Sequence, residues 1–180
     1  MTSPRRPGGK LPPSVELFLP DARLRTTGQG RLRVKLPALD QIGIVVKDVD
    51  KAIEYYSSVF GLGPFYVREV EPDNMVYRGQ VSGCRMKLAF TVSGPVEIEL
   101  IQILEGETIH SDFLREKGEG LHHLRFRVDN VNDMLGELAE DGIEPVWQNA
   151  DHSMACLNSD KVGGVVFEII EGRRNGQERS

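Results

Sequence analysis

Long apolar runs are absent from this 180-residue chain, and none approaches the roughly 18 to 20 residues that a membrane-spanning helix needs. Cysteine is scarce. Cys84 and Cys156 lack CxxC spacing and are too few for a disulfide framework, which suits a reducing cytoplasm. No signal peptide is predicted: behind Arg5 and Arg6 the apolar patch Val15–Leu19 is short and broken by Glu16.

Basic charge is in short supply beyond the start of the chain. Residues 1–37 hold eight of the 22 Lys/Arg and two of the 27 Asp/Glu, leaving 14 basic against 25 acidic residues elsewhere. An acidic body argues against nucleic acid as the main partner. The basic leader, with Arg23, Arg25, Arg31, Arg33 and Lys35, reads as a surface-draped extension over 1–37. Its first 14 residues, rich in Pro and Gly, are predicted to be disordered.

What the chain does contain is a pattern stated twice. Leu39–Val46 reads as a strand, Asp48 as an N-cap, and Val49, Ala52, Ile53 and Tyr56 as one face of a helix ended by Gly61-Leu62-Gly63-Pro64. Strands are predicted over 65–70, 85–92 and 96–103, with turns at Asp73-Asn74 and Ser93-Gly94-Pro95. A loop and a short helix over 111–117 lead to Leu121–Val128, a second opening strand. Asn130 caps a helix through Val131, Met134, Leu135 and Leu138, stopped at Gly142, and strands follow at 145–148, 154–158 and 165–170. Leu39-Asp40-Gln41 overlays Leu121-His122-His123 at an offset of 82. Val96–Leu100 overlays Val165–Ile169 at 69. Such ordered landmarks indicate internal repetition. The modules are 38–110 and 111–172, with a frayed tail at 173–180.

Strict alternation along Leu121–Val128 puts His122, Leu124, Phe126 and Val128 on one face and His123, Arg125 and Arg127 on the other. The repeat makes Gln41 equivalent to His123 and Glu99 equivalent to Glu168. Side-by-side packing of the modules would gather an amide, an imidazole and two carboxylates, a mixed N/O set for one divalent cation such as Zn²⁺, Ni²⁺, Co²⁺, Mn²⁺ or Mg²⁺. Taken singly, His123 reads as a structural histidine and Glu97 and Glu99 as the solvent face of an edge strand. Glu168, between Phe167 and Ile169, is harder to explain that way, since buried carboxylates are seldom unpaired.

Asp40-Gln41-Ile42-Gly43-Ile44-Val45-Val46, Asp48–Ala52, Glu99-Leu100-Ile101, Gly118-Glu119-Gly120-Leu121-His122-His123 and Gly163–Glu168 together resemble the vicinal oxygen chelate (glyoxalase/bleomycin resistance/dioxygenase) superfamily. Methylmalonyl-CoA epimerases are the nearest look-alikes and glyoxalase I is a relative. The resemblance spans roughly 38 to 172. It implies an α+β fold, two βαβββ modules forming a cupped mixed sheet, with Gln41, Glu99, His123 and Glu168 as metal ligands. Epimerases usually carry His where this chain has Gln41, and no counterpart of their extra glutamate stands at Arg85, Met86 or Lys87. Glyoxalase I clamps glutathione with Arg, Asn and Arg where this chain has Val45, Ile103 and Glu119, so glutathione is disfavoured.

The resemblance implies a metal-dependent isomerase or lyase that abstracts a proton next to a carbonyl, the metal holding the carbonyl or enolate oxygen. Glu99 and Glu168 are the catalytic candidates. The substrate would be a small oxo-acid or acyl thioester and the assembly a homodimer, with no membrane partner. Arg125 and Arg127 would either hold a substrate anion or partner Glu97 and Glu99. Tyr77, Trp147 and His152 are candidate pocket residues. The competing readings are a metal-free, resistance-type binding protein, a dioxygenase-type relative and an inert scaffold.

Overall fold

The computed structural model describes residues 34–161 and 163–172. The predicted patch Val15–Leu19, the extension up to residue 33 and the 173–180 tail lie outside the described residues. In chain order the elements are β1 (Leu39–Val45), α1 (Val49–Phe60), β2 (Tyr66–Val70), β3 (Met75–Tyr77), β4 (Gln80–Ser82), β5 (Arg85–Ser93) and β6 (Val96–Glu105). They continue with α2 (Ile109–Lys117), β7 (Gly120–Val128), α3 (Val131–Ala139), β8 (Pro145–Asn149), β9 (Met154–Leu157) and β10 (Val166–Glu171).

Helix boundaries follow from side chains that satisfy the first free N–H groups. Asp48 accepts from Lys51 N at 3.1 Å to start α1, and Gly61, at φ 66°, ends it. Asn130 accepts from Asp133 N at 2.9 Å to start α3. Thr108 and Ser111 form a reciprocal capping box at α2, two residues ahead of the predicted start.

The described strands form one sheet, ordered β2-β5-β6-β1-β7-β10-β9-β8-β3-β4. At its centre β1 and β7 run antiparallel, flanked by β6, parallel to β1, and β10, parallel to β7. Away from that centre, β6-β5-β2 on one side corresponds to β10-β9-β8 on the other, and β3 and β4 extend the second side only. Side chains from both arms line one cavity, so the sheet is curled into a cup. Val46, Val49, Ala89 and Leu100 form a core beneath α1, and Val128, Val131, Ala155, Leu157 and Ile169 one beneath α3, which Leu36 joins. No helix among the described residues is long and apolar enough to cross a membrane.

Two features depart from the sequence reading. The segment 75–82, read as connecting chain, is the hairpin β3–β4, and β3 pairs with β8 from the other arm. Its two-residue turn, Arg78-Gly79, has φ 53° and 75°, the left-handed pair that matches the twist of a hairpin. The strict alternation of β7 also fails. Gly43 pairs with His123 but Ile44 with Leu121, so His122 is an extra residue in the ladder. Asp40 is the corresponding extra residue in β1, between the Leu39–Phe126 and Gln41–Arg125 pairs. The two bulges lie 82 residues apart, the offset of the sequence repeat.

Candidate metal centre

The bulges decide which side chains reach the cup. Gln41, opposite Arg125, and His123, opposite Gly43, come from the central strands, Glu99 from β6 and Glu168 from β10. They meet around one atom. His123 Nε2 lies 3.3 Å from Gln41 Oε1, 3.6 Å from Glu99 Oε2 and 3.5 Å from Glu168 Oε2. Ligands about 2.1 Å from a common tetrahedral ion stand about 3.4 Å apart, so these separations fit a site for one divalent cation. Gln41 and His123 are fully buried, and Glu99, His123 and Glu168 face a cavity of about 600 Å³.

The electrostatics agree with that fit. Burial pushes the Glu168 carboxyl up; His123 and Arg125 offset part of that push and Glu99 adds to it, leaving a net rise. Burial works against a charged His123, but Glu168 and Glu99 outweigh it and raise its pKa. Two carboxylates crowded on one imidazole are a charge arrangement that a dication relieves. Behind Glu168, the fully buried Cys156 donates its S–H to Oε2 at 3.7 Å. Burial, then Glu168, hold that thiol well above its ordinary value, so it stays protonated.

Gln41 is aimed by its own donor: Nε2 donates to Glu97 Oε1 at 2.8 Å, which turns Oε1 toward His123. Glu97 also accepts from Arg125 Nη2 at 3.1 Å. Arg125 donates to Asp40 through Nε at 3.3 Å and Nη2 at 3.1 Å, and Arg127 Nε reaches Asp40 Oδ2 at 2.6 Å. Asp40 and Glu97 are thus the partners of these arginines. Arg125 still lines the cavity, and Arg127 lines an adjoining groove that shares Arg68, Arg125 and Ile170 with it.

The remaining candidates sit apart from the metal centre. Trp147 is buried in the cavity wall. Tyr77 lies outside that wall, its hydroxyl donating to Asp112 of α2, and His152 is on an exposed turn with Nδ1 3.3 Å from Gln148 Oε1. The structure adds two histidines. His110 of α2 and His122 pack with ring centroids 4.5 Å apart, and His122 Nδ1 lies 3.1 Å from His123 Nδ1. These three rings are a second grouping with metal-binding potential, sharing His123 with the first. The quartet is the better fit for a catalytic ion: it supplies negative charge, and His122 does not face the cavity. In the sequence His110 was hidden by the late helix start, and His122 by assumed alternation.

Comparison with known proteins supports a shared fold and descent. The family model of the Glyoxalase/Bleomycin resistance protein/Dioxygenase superfamily matches residues 40–157. The uncharacterized protein YqjC of Bacillus subtilis is 28% identical over 138 residues, covering 74% of this chain and 91% of that protein. The mitochondrial methylmalonyl-CoA epimerase of Bos taurus is 27% identical over 141 residues, with 74% of each chain covered. Among solved structures, Streptomyces coelicolor methylmalonyl-CoA epimerase in complex with 2-nitronate-propionyl-CoA superposes with a TM-score of 0.55 at 21% identity, covering 78% of this chain and all of that one. Since the family match covers more than half of the chain, from β1 through β9, the chain belongs to the glyoxalase/bleomycin resistance protein/dioxygenase superfamily.

Proposed function

We propose that this protein is a divalent-metal-dependent isomerase or lyase that moves a proton at the carbon next to a carbonyl, with an acyl-CoA thioester as substrate. Relatives named as methylmalonyl-CoA epimerases support the thioester, and the oxygens gathered on His123 Nε2 are the observation that carries the reading. Gln41, Glu99, His123 and Glu168 would hold the ion, which when bound supplies a Lewis acid toward the carbonyl oxygen.

Inverting a carbon centre needs a proton removed on one face and returned on the other. Glu99 and Glu168 come from strands on opposite sides of the central β1–β7 pair and both face the cavity. Glu168, the more deeply buried of the two, is the assigned base. Cys156 positions it, and Trp147 with the apolar wall of Met86, Leu88 and Ile101 keeps water from the carbon acid.

The test is proton exchange. Metal-loaded protein in deuterated water should wash deuterium into the α-position of methylmalonyl-CoA. Chelation should abolish the exchange, and Glu168→Gln should lower it by at least about 10²-fold, the usual contribution of a positioned acid or base. Loaded protein that exchanges no α-proton in any acyl-CoA or 2-oxo acid of a panel refutes the proposal.

A further inference from the structure

Two of three clustered imidazoles, His110 and His122, have no part in the reaction above. His110, His122 and His123 each bring a ring nitrogen within 4.8 Å of the other two. All three are at most 3% exposed. Neither nitrogen of His110 has a hydrogen-bond partner, and buried polar atoms are rarely left so. His122 and His123 meet Nδ1 to Nδ1 at 3.1 Å, where two lone pairs repel unless a proton or a cation lies between them.

We propose that His110, His122 and His123 form a second cation site, for a nitrogen-preferring transition metal such as Zn²⁺, and that it competes with the quartet for His123. Three neutral imidazoles suit borderline cations (Zn²⁺, Ni²⁺, Co²⁺, Cu²⁺) and offer little to Mg²⁺. The quartet, with three oxygen ligands, accepts harder ions. Competition follows from the ring itself. An imidazole that binds through Nε2 keeps its proton on Nδ1, and the reverse holds for binding through Nδ1. A cation between the two Nδ1 atoms would turn a proton on His123 Nε2 toward Glu99 and Glu168, leaving the quartet one ligand short. The competition rests on the reading of the quartet; the three-histidine site stands without it.

Long-range ¹H–¹⁵N spectra of the imidazoles, recorded while metal-free wild-type protein is titrated with Zn²⁺, test the site without any variant. The ring-nitrogen signals of His110 and His122 are expected to shift by the second equivalent of Zn²⁺ and to stay in place under Mg²⁺. His110 signals unmoved through two equivalents of Zn²⁺ overturn the proposal. Equilibrium dialysis with Mn²⁺ separates the two readings. Wild-type protein that takes up no Mn²⁺, yet shows the Zn²⁺ shift at His110, refutes the quartet and supports the trio.

Discussion

The imidazole of His123 lies on Gly43, its partner across the central strand pair: a Cβ on Gly43 would fall 2.1 Å from His123 Cε1 and 2.3 Å from Nε2. The glycine therefore helps to set the position of the His123 ring, although it contributes no ligand to the proposed site. Its backbone is extended, so the constraint is space and not conformation.

Gly43→Ala should consequently push His123 aside without breaking the strand. Alanine is itself more favourable than glycine within a strand, by about 0.5–1 kcal/mol, which offsets part of the cost, about 1–3 kcal/mol, of crowding a buried ring. Displaced supporting groups typically cost 10–100-fold in metal affinity, and Mn²⁺ affinity measured by dialysis should fall by about that factor. Unchanged affinity would mean that His123 does not hold the ion.

Arg125 offers a second test. It is 8% exposed and rests on Asp40 and Glu97, with Arg127 sharing Asp40. Removing one partner of a buried ion pair leaves the other charge uncompensated, at about 3–5 kcal/mol. Asp40→Ala should cost that much in urea unfolding, whereas replacing Asp40 and Arg125 together by apolar residues should cost less than Asp40→Ala alone. A double variant less stable than Asp40→Ala would show that the remaining contact of Arg125 with Glu97 outweighs the relief of its lost partner.

The hairpin β3–β4 is tied to α2 through Tyr77 and Asp112, with Arg78 and Arg115 on the same carboxylate. Burial works against a charged Asp112, but Tyr77 and Arg115 outweigh it and lower its pKa. A depressed carboxyl stabilises the fold fully above its ordinary value of 3.8 and loses that contribution as pH falls through the folded value. Tyr77→Phe should cost about 1 kcal/mol near neutrality, and Asp112→Asn should flatten the acid limb of the stability curve below pH 3.8. An unaltered acid limb in Asp112→Asn would rule out this linkage.

Most of the architecture was legible because its signals are local. Asp48 and Asn130 are strong caps, β-branched runs mark the central strands, and the repeat pairs Gln41 with His123 and Glu99 with Glu168. Two of the errors are shifts of one or two residues that local patterns do not resolve, and the third is a hairpin too short to carry a pattern. The bulges at Asp40 and His122 interrupt the alternation, which hides the contacts of His122 with His110 and His123. A capping box with Ser111 where Glu or Gln is commoner moved the start of α2 past His110. The β3–β4 turn uses Arg78-Gly79 instead of the more telling Asn-Gly, and strands of three residues carry too little pattern to compensate.

His110 and His122 set the behaviour of the metal-free protein in mild acid. Burial holds His110 well below its ordinary 6.5, with His122 and His123 adding to the effect. Burial, then His123 and Lys117, bring His122 down to about 3. Both rings therefore stay neutral in the folded state while the unfolded chain takes up protons below 6.5. A histidine with a lowered folded pKa leaves stability intact above the unfolded value and drains it as pH falls, by about 1.4 kcal/mol per pH unit for each ring. Two rings contribute a slope near twice that in wild-type protein, against which the raised pKa values of His123 and Glu168 work. His110→Phe fills a similar volume, removes the two orphaned nitrogens and deletes one of the titrating groups. Its stability relative to wild type should be nearly constant above about pH 7 and improve by about 1.4 kcal/mol per unit below 6.5. Urea unfolding of both proteins between about pH 7.5 and 5 measures this directly. Parallel curves would mean that His110 is already satisfied in the folded chain, by a proton or by a bound ion that survived chelation.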